Sequence, residues 1–444
     1  MAFTPAHLLP ILNELPPPRR YLIALSGGCD SIVLLHAMAA IRDELLPAEL
    51  VAVHINHGLQ PDAPAWAAHC AQVSRQLGIE LIQIALDLQV AKGESLEAAA
   101  RDARYRAIKA ETAVGDMLLT AQHQDDQAET LLLQLLRGSG PGGLASMPQC
   151  TAFGAGFHAR PLLVFTRKQL HQYAVGQGLL WIEDRSNQDL RFDRNFLRQE
   201  IMPLLAQRWP AISQTLARSA RHCAEAQQLI DNLIIDEIKK VEQPEGRLSV
   251  QGLTALPAPQ CRAVLRAWIQ REGFQLPDTR HLDRIQKEVL QAAHDRNPLV
   301  GWAGCELRRY REQLFLMPPL TPHDPDTVLS WDGETPLQLP ANLGLLTTGR
   351  GDHGVDPAKW QNGNIEIRFR QGGERCQLAG RNHTHSLKNL LQERGVPPWE
   401  RSRIPLVFID NQLAAVADLW VCEPFAAQNN QTGIIIFKTL NNPQ

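Results

Sequence analysis

The sequence predicts an α/β protein with a doubly wound, mostly parallel sheet, followed by a mainly helical domain and a small α+β or β-rich C-terminal domain. Three observations lead to this prediction. Short apolar runs alternate with helical patterns in the N-terminal part, a long amphipathic stretch follows, and strand-like alternation returns near the C-terminus. Alternating strands and helices are typical of an open parallel sheet, which binds ligands at the carboxyl ends of its strands.

Four apolar runs in the N-terminal part are predicted to be buried strands, because continuous apolar residues are typical of a parallel sheet covered on both faces. Between them, apolar residues recur three and four positions apart, which predicts helices. The strands are predicted at 21–25, 50–55, 80–86 and 116–120, and the helices at about 31–45, 64–77, 95–111 and 126–136.

The chain changes character after a glycine-rich loop at 138–143. These changes of pattern predict three domains, at 1–215, 216–317 and 326–444. The predicted segments are, in order, helical stretches at about 211–242 and 251–293, strand-like pieces near 299–316, a proline-rich linker at 318–325, a strand at 365–370, a helix near 385–394 and a strand at 434–438.

The composition is that of a globular protein with more than one core. The chain has 444 residues, of which 44% are hydrophobic and 20% charged, which is typical of soluble proteins and too long for one domain. Its formal net charge of −3 means that any nucleic-acid binding must depend on local patches. Since no signal pattern and no membrane-length apolar run occur, we expect a cytoplasmic protein without a membrane segment.

The eight cysteines are scattered along the chain. None forms a C-x-x-C pair, and none stands at zinc-finger spacing from histidine. Isolated cysteines of this kind are typical of proteins in a reducing cytosol, so we expect buried thiols.

A glycine loop directly after the first predicted strand is the strongest motif. It consists of Ser26, Gly27, Gly28, Cys29, Asp30 and Ser31. Glycines let the backbone approach a ligand closely, and the free amides at the start of the next helix attract an anion. A carboxylate beside a phosphate requires a cation between them, so Asp30 predicts Mg²⁺ together with a nucleotide. The loop lacks the lysine of a Walker motif.

A second polar cluster follows the fourth predicted strand and contains His123, Asp125, Asp126 and Glu129. Asp126 and Glu129 are three positions apart and share a helix face. One interpretation is a capping box that satisfies the first amides of the helix. The other interpretation is a functional group that holds Mg²⁺, positions an amine or accepts its proton. The location of the cluster at the same sheet edge as the glycine loop favours this second interpretation.

Two further groups have open interpretations. His54 and His57 end the second predicted strand and either support the loop or belong to the site. Arg101 and Arg104 share one face of a predicted helix. They either form a solvated face or bind phosphate, for which the guanidinium group is well suited.

Together these motifs resemble the tRNA(Ile)-lysidine synthetases, a family of PP-loop ATP pyrophosphatases. The resemblance covers the first 220 residues closely, continues at 380–381 and 388–399, and implies a sheet of the adenine nucleotide alpha hydrolase-like type. The matching motifs are S-G-G-x-D-S, H-x-N-H-G-L, A-R-x-A-R-Y, H-x-D-D-Q-x-E-T, W-I-E-D-x-S-N at 181–187 and R-N-x-x-R at 194–198.

The resemblance implies a reaction and its partners. Such an enzyme joins the ε-amine of L-lysine to the wobble cytidine of the isoleucine tRNA with a CAU anticodon, and ATP becomes AMP and pyrophosphate. The cytidine is first adenylated, because its ring oxygen is a poor leaving group. Most of the lysine amine is protonated, with a pKa of about 10.4, so a carboxylate is needed to bind it and accept its proton. Whether the chain forms a homodimer stays open.

The resemblance also implies residue roles. The glycine loop, His54 and His57 are expected to bind ATP, with Asp30 on Mg²⁺ and Cys29 packing rather than reacting. Catalysis is expected from Asp30, Asp126, Glu129 and Arg104. Substrate contacts are expected from Arg101, His123, Asp125, Arg194, Arg198, Lys388 and Arg394.

Other classes fit the residues less well. A tRNA thiolase would use paired cysteines to carry sulfur, and the sequence has no C-x-x-C motif. A synthetase of the NAD or GMP type would need an ammonia supply, and no glutaminase segment is apparent. A silent binding module would be expected to lose Asp30 or the acidic cluster, and both are intact.

Overall fold

The computed structural model describes residues 2–56, 62–86, 96–184, 188–293, 296–379, 383–428 and 431–439, without the side chains of 96–101. The chain divides into two compact units, Met1–Asp231 and Asn232–Gln444. The division into three domains stays a prediction.

The first unit is built on a six-stranded sheet with the order β3-β2-β1-β4-β6-β5. Neighbouring strands are parallel except β5 and β6, which are antiparallel. This confirms the predicted mostly parallel sheet. The strands are β1 (Arg20–Ala24), β2 (Glu49–Asn56), β3 (Glu80–Ala85), β4 (Asp116–Leu119), β5 (Cys150–Phe153) and β6 (Gly156–Ala159).

Helices connect and flank these strands. They are α1 (Leu8–Asn13), α2 (Cys29–Ala40), α3 (Ala63–Gln76), α4 (Leu96–Glu111), α5 (Gln124–Leu136), α6 (Pro141–Leu144), α7 (Arg167–Gly176), α8 (Asp193–Phe196) and α9 (Met202–Arg208), with a π-helical turn at Leu197–Ile201. The long α10 (Ile212–Val241) begins in the first unit and ends in the second.

Both faces of the sheet are buried, as the apolar runs predict. Successive strand residues point to opposite faces, and the fully buried Leu22 and Ile23 accordingly belong to different apolar clusters. The strand order reverses between β1 and β4, and ligands of open α/β sheets bind at such a switch point, beyond the carboxyl ends of the strands. The glycine loop follows β1 and the acidic cluster follows β4, so both lie at this place.

The second unit begins with helices packed on a small antiparallel sheet of order β7-β10-β9-β8. Trp268, which is 2% exposed, lies in its core. The elements are β7 (Leu248–Ser249), α11 (Val250–Ala255), α12 (Ala258–Arg271), α13 (Thr279–Arg284) with a π-helical continuation at Ile285–Leu290, β8 (Leu299–Trp302), β9 (Cys305–Tyr310) and β10 (Gln313–Met317).

The C-terminal part is β-rich, as predicted, and its main sheet has the order β11-β14-β17-β18-β19. A three-stranded sheet β12-β13-β20 and a two-stranded sheet β15-β16 accompany it. The elements are β11 (Leu329–Trp331), β12 (Leu337–Gln338), β13 (Leu345–Gly351), α14 (Pro357–Asn362), β14 (Ile365–Phe369), β15 (Arg375–Cys376), β16 (His385–Ser386), α15 (Leu387–Glu393), α16 (Pro398–Arg401), β17 (Pro405–Ile409), β18 (Gln412–Val416), β19 (Trp420–Val421) and β20 (Gly433–Thr439).

The expectation that the cysteines are thiols is wrong for two of them. Cys376 and Cys422 form a disulfide although 46 residues separate them, and only the fold brings these two isolated positions together. The other six cysteines are free, and three of them are buried. Among the described residues, no helix has both the length and the apolar character needed to cross a membrane.

Candidate active site

The glycine loop joins β1 to α2 and has the backbone of an anion site. Gly28 is the N-cap of α2 and provides no side-chain cap, so the first amides of the helix remain available to a phosphate. Gly27 has a φ of +88°, and a Cβ there would lie 3.0 Å from Cδ1 of Ile182. The Gly27 carbonyl accepts a hydrogen bond from the Ile182 amide at 2.9 Å. The loop therefore requires glycine at this position.

Two serine hydroxyls hold the loop in shape. Ser31 Oγ donates to the Gly28 carbonyl at 2.9 Å and lies 3.1 Å from Ser26 Oγ. Ser31 Oγ also accepts the Ser26 amide at 3.3 Å, and Ser26 Oγ accepts the Gly28 amide at 3.4 Å. These bonds arrange the backbone before any ligand binds.

Asp30 lies in the first turn of α2 and faces His123. Its Oδ2 is 3.6 Å from His123 Nε2, whereas its Oδ1 is buried and has no hydrogen-bond partner among the described residues. Burial raises the pKa of Asp30, but the hydrogen bond and charge of His123 and the charges of Arg167 and Arg198 outweigh it, so the pKa is lowered. An ionised carboxylate with one unsatisfied oxygen fits a cation.

His123 and Asp126 form the capping box of α5. His123 Nδ1 accepts the Asp126 amide at 3.3 Å, and Asp126 Oδ2 accepts the His123 amide at 3.0 Å. Burial lowers the pKa of His123, but its hydrogen bond to Asp30 and the charges of Asp126, Asp30 and Asp125 outweigh it, so the pKa is raised. The capping interpretation thus holds for one oxygen of Asp126, and the other oxygen remains for different partners.

Two arginines bind the remaining carboxylate oxygens of the cluster. Glu129 is 1% exposed and accepts from Arg194 Nε at 2.9 Å and from Arg198 Nε at 2.7 Å. Asp126 Oδ1 accepts from Nη2 of Arg194 at 3.2 Å and of Arg198 at 2.8 Å. Two carboxylates and two guanidinium groups therefore form one network at the start of α5.

Asp125 points to different partners from those of Asp126. Its Oδ2 accepts the backbone amide of Arg167 at 2.8 Å, and its Oδ1 accepts the Ser213 hydroxyl at 2.8 Å. Asp125 thereby ties α5 to the first turns of α7 and α10. Sequence reasoning missed Ser213 altogether, and the only signal near Arg167 is the capping box formed by Thr166 and Gln169.

His54 lies at the end of β2, next to the glycine loop. It is 4% exposed, and its Nδ1 is 2.8 Å from the carbonyl oxygen of Leu25. Burial lowers the pKa of His54, the hydrogen bond to Leu25 opposes this, and the charge of Arg104 adds to the lowering. Arg104 is therefore near this end of the sheet. His57 and the side chain of Arg101 lie outside the described residues.

The remaining described candidates are Cys29 in the first unit and Lys388 and Arg394 in the second. Cys29 is half-buried, and burial, together with the charge of Asp30, raises the pKa of its thiol to about 11. The thiol is thus protonated at neutral pH. Lys388 and Arg394 belong to the second unit, where both are exposed, and Arg394 lies 5.7 Å above the ring of Trp420.

Three family models match successive parts of the chain. A PP-loop domain matches residues 5–205, a TilS substrate binding domain matches 248–315, and a TilS substrate C-terminal domain matches 365–437. The sheet and glycine loop of the first unit are thus those of a PP-loop protein.

Curated relatives resemble the chain along nearly its whole length. The tRNA(Ile)-lysidine synthase of Methylococcus capsulatus is 45% identical over 96% of this chain and 97% of its own length. The tRNA(Ile)-lysidine synthase of Coxiella burnetii is 42% identical over 97% of this chain and 96% of its own length. That of Yersinia pseudotuberculosis is 40% identical over 96% of each chain. The chain belongs to the tRNA(Ile)-lysidine synthase family.

Proposed function

We propose that this protein uses ATP to join the ε-amine of L-lysine to the wobble cytidine of the isoleucine tRNA with a CAU anticodon. The products are the lysidine-modified tRNA, AMP and pyrophosphate, and the tRNA changes from reading AUG as methionine to reading AUA as isoleucine. The observation that carries the proposal is the position of Asp30, whose unsatisfied oxygen lies beside a phosphate-binding loop and whose other oxygen faces the acidic cluster through His123.

The first step is activation of the cytidine. The amides of the glycine loop bind the phosphates of ATP. The hydroxyls of Ser26 and Ser31, which donate within the loop in this structure, are proposed to exchange those bonds for bonds to phosphate. Asp30 is the proposed Mg²⁺ ligand, and the ion would neutralise charge between this carboxylate and the phosphates. Mg²⁺ is usually held by one or two carboxylates together with substrate phosphates.

The nucleotide site extends to the end of β2. His54 stays neutral because its pKa is lowered, so it can contribute a hydrogen bond without a charge, and His57 is proposed beside it. Arg104 would offset charge on the adenylate as the cytidine oxygen becomes a leaving group. Arg101 is proposed as a further substrate contact.

The second step is attack by lysine. Asp126 and Glu129 are proposed to bind the ammonium group and accept its proton, with His123 and Asp125 holding the start of α5 in place. Arg194 and Arg198 remain proposed substrate-binding residues. Their ion pairs with Asp126 and Glu129 support this proposal.

The tRNA is proposed to reach beyond the first unit. Lys388 and Arg394 are candidate contacts to its phosphates, since basic side chains neutralise the charge of a nucleic-acid backbone. The wobble base must leave its stack to reach the adenylation site. Such a reaction belongs in the cytoplasm, where tRNA is used, and a homodimer is compatible with it.

The proposal is tested by following ATP labelled at its α-phosphate. We expect labelled AMP to accumulate only when the isoleucine tRNA and L-lysine are both present. ADP as the product, or AMP released at the same rate without tRNA, would contradict the proposed reaction.

A further inference from the structure

Aromatic rings join the middle of the chain to its C-terminal part within the second unit. Trp399 of α16 is 9% exposed. Its ring centroid lies 5.3 Å from that of Phe315 in β10 and 6.2 Å from that of Tyr310 in β9, and both pairs meet edge to face. Rings at these distances and angles attract one another beyond the burial of their surface.

Guanidinium groups reinforce the same contact from both sides. Arg308 of β9 lies 5.3 Å from the ring centroid of Trp399. Arg401 donates from Nη2 to the hydroxyl of Tyr310 at 3.0 Å, and Arg311 donates from Nη2 to the carbonyl of Gln392 at 2.6 Å. We call the whole contact the aromatic seam, which consists of Arg308, Tyr310, Arg311, Phe315, Trp399 and Arg401.

Trp399 acts in the seam through its ring rather than through a hydrogen bond. Its Nε1 is buried and has no hydrogen-bond partner among the described residues. A phenylalanine can therefore keep the edge-to-face contacts and the cation–π contact with Arg308, and it would remove the unsatisfied N–H.

We propose that Trp399 is a positioning residue for tRNA, because it fixes the C-terminal part on the β9–β10 hairpin so that both present one preformed surface. This inference rests on the proposed function, in which residues beyond the first unit bind tRNA. Without the seam, the β9–β10 hairpin and the C-terminal part would be joined through the linker 318–325, and their relative orientation would be fixed only when tRNA binds. Ordering the two parts during binding lowers the affinity for tRNA, whereas a preformed surface avoids this loss.

The test measures tRNA affinity of the full-length protein by fluorescence anisotropy, together with KM and kcat. Trp399→Ala should raise the dissociation constant and the KM for tRNA about tenfold, with kcat and the KM for ATP unchanged. Trp399→Phe should behave like the wild type. Phe315→Leu, which alters the opposite side of the seam, should weaken tRNA binding in the same direction.

Trp302→Ala provides the matched control. Trp302 is a half-buried residue of β8 in the same unit, and its Nε1 donates to the carbonyl of Gln275 at 2.6 Å, outside the seam. Its replacement should leave the tRNA affinity unchanged.

Several results would overturn the inference. One is an unchanged tRNA affinity in the folded Trp399→Ala and Phe315→Leu variants. Another is a loss of tRNA affinity in Trp302→Ala that equals the loss in Trp399→Ala. A kcat that falls while the KM for tRNA stays constant would also contradict a positioning role. If the wild type binds tRNA but transfers no lysine, the proposed function fails, and the affinity comparison still decides the inference.

Discussion

At the residue scale, Asp30 combines features that are unfavourable without a ligand. Its Oδ1 is buried and lacks a hydrogen bond among the described residues, and the neighbouring cations lower its pKa so that it is charged. An unsatisfied oxygen on a charged group costs free energy unless a cation or donor approaches it. The start of α2 thus favours the arrival of a cation with the nucleotide.

Replacing Asp30 with Ala should lower the rate of lysine-dependent AMP formation by about a hundredfold or more, because the proposed Mg²⁺ ligand is removed and the ion would no longer be held where it offsets the phosphate charge. The measurement is the rate of AMP release with saturating tRNA and lysine. Cys29→Ala is the matched control: it keeps the backbone amide and removes a thiol whose pKa of about 11 leaves it uncharged. Normal turnover in the Asp30 variant would refute the assignment.

The acidic cluster shows what the sequence can predict about single residues and what it cannot. The pattern from His123 to Glu129 allows either a capping box or a functional group. In the structure, Asp126 caps α5 with one carboxylate oxygen and binds arginines with the other. Its pairing with Arg194 and Arg198 spans 68 and 72 residues. No local pattern reports such a contact, because only the fold brings α8 and the adjoining π-helical turn to α5.

At the element scale, the turn between β1 and α2 depends on one glycine more than on the other. Gly27→Ala should lower the free energy of unfolding by about 1 kcal/mol or more, because residue 27 has a positive φ and a Cβ would crowd Ile182. Gly28→Ala should cost less, since its φ is −75° and its Cβ would lie 3.6 Å from Ser26 Oγ.

Urea unfolding of the two glycine variants measures this difference. Equal losses of stability would mean that the backbone conformation of residue 27 does not control the turn.

The entry into β4 depends on an ion pair with β1. Asp116 is fully buried, and its Oδ2 accepts from Arg20 Nη2 at 2.6 Å and from the Ala113 amide at 2.9 Å. Burial raises the pKa of Asp116, but these hydrogen bonds and the charges of Arg20 and Arg19 outweigh it, so the pKa lies below the ordinary 3.8. The stabilisation is therefore present above pH 3.8 and is lost as the pH falls through the lowered value.

Asp116→Asn should lower the free energy of unfolding at pH 7 by about 1–3 kcal/mol, because a charged hydrogen bond is lost in a buried place. The difference from the wild type should shrink as the pH falls below the ordinary pKa of an aspartate. Denaturant unfolding across this pH range measures the difference in the free energy of unfolding between the variant and the wild type. A difference that is constant with pH would exclude the ion pair as the source of the stabilisation.

Elements were predictable where they repeat a simple pattern. Four of the five parallel strands follow from buried apolar runs, and the helix at 387–393 follows from its local pattern; β6 was not predicted. The disulfide between Cys376 and Cys422 could not be predicted, because each cysteine stands alone in the sequence. The β-bridge between Leu378 and Cys422 brings the two cysteines together. The contact of Asp125 with Ser213 was missed for the same reason, because it joins helices that are distant along the chain.

At the scale of the whole molecule, chemistry and tRNA binding are expected to separate between the two units. A fragment of residues 1–231, which ends at the boundary of the first unit, should bind ATP as the full chain does but lose most of the tRNA affinity. Calorimetry with ATP and anisotropy with labelled tRNA measure the two properties. Undiminished tRNA binding by this fragment would show that the second unit is dispensable for it.

Transfer of lysine to one tRNA is measured with labelled L-lysine and ATP. The acceptors are transcripts of the isoleucine tRNA with the CAU anticodon and of methionine tRNA, which shares that anticodon. We predict label on the isoleucine tRNA alone, with release of AMP. No label on either tRNA, while AMP forms when another acceptor is supplied, would keep the PP-loop chemistry and contradict the proposed substrate.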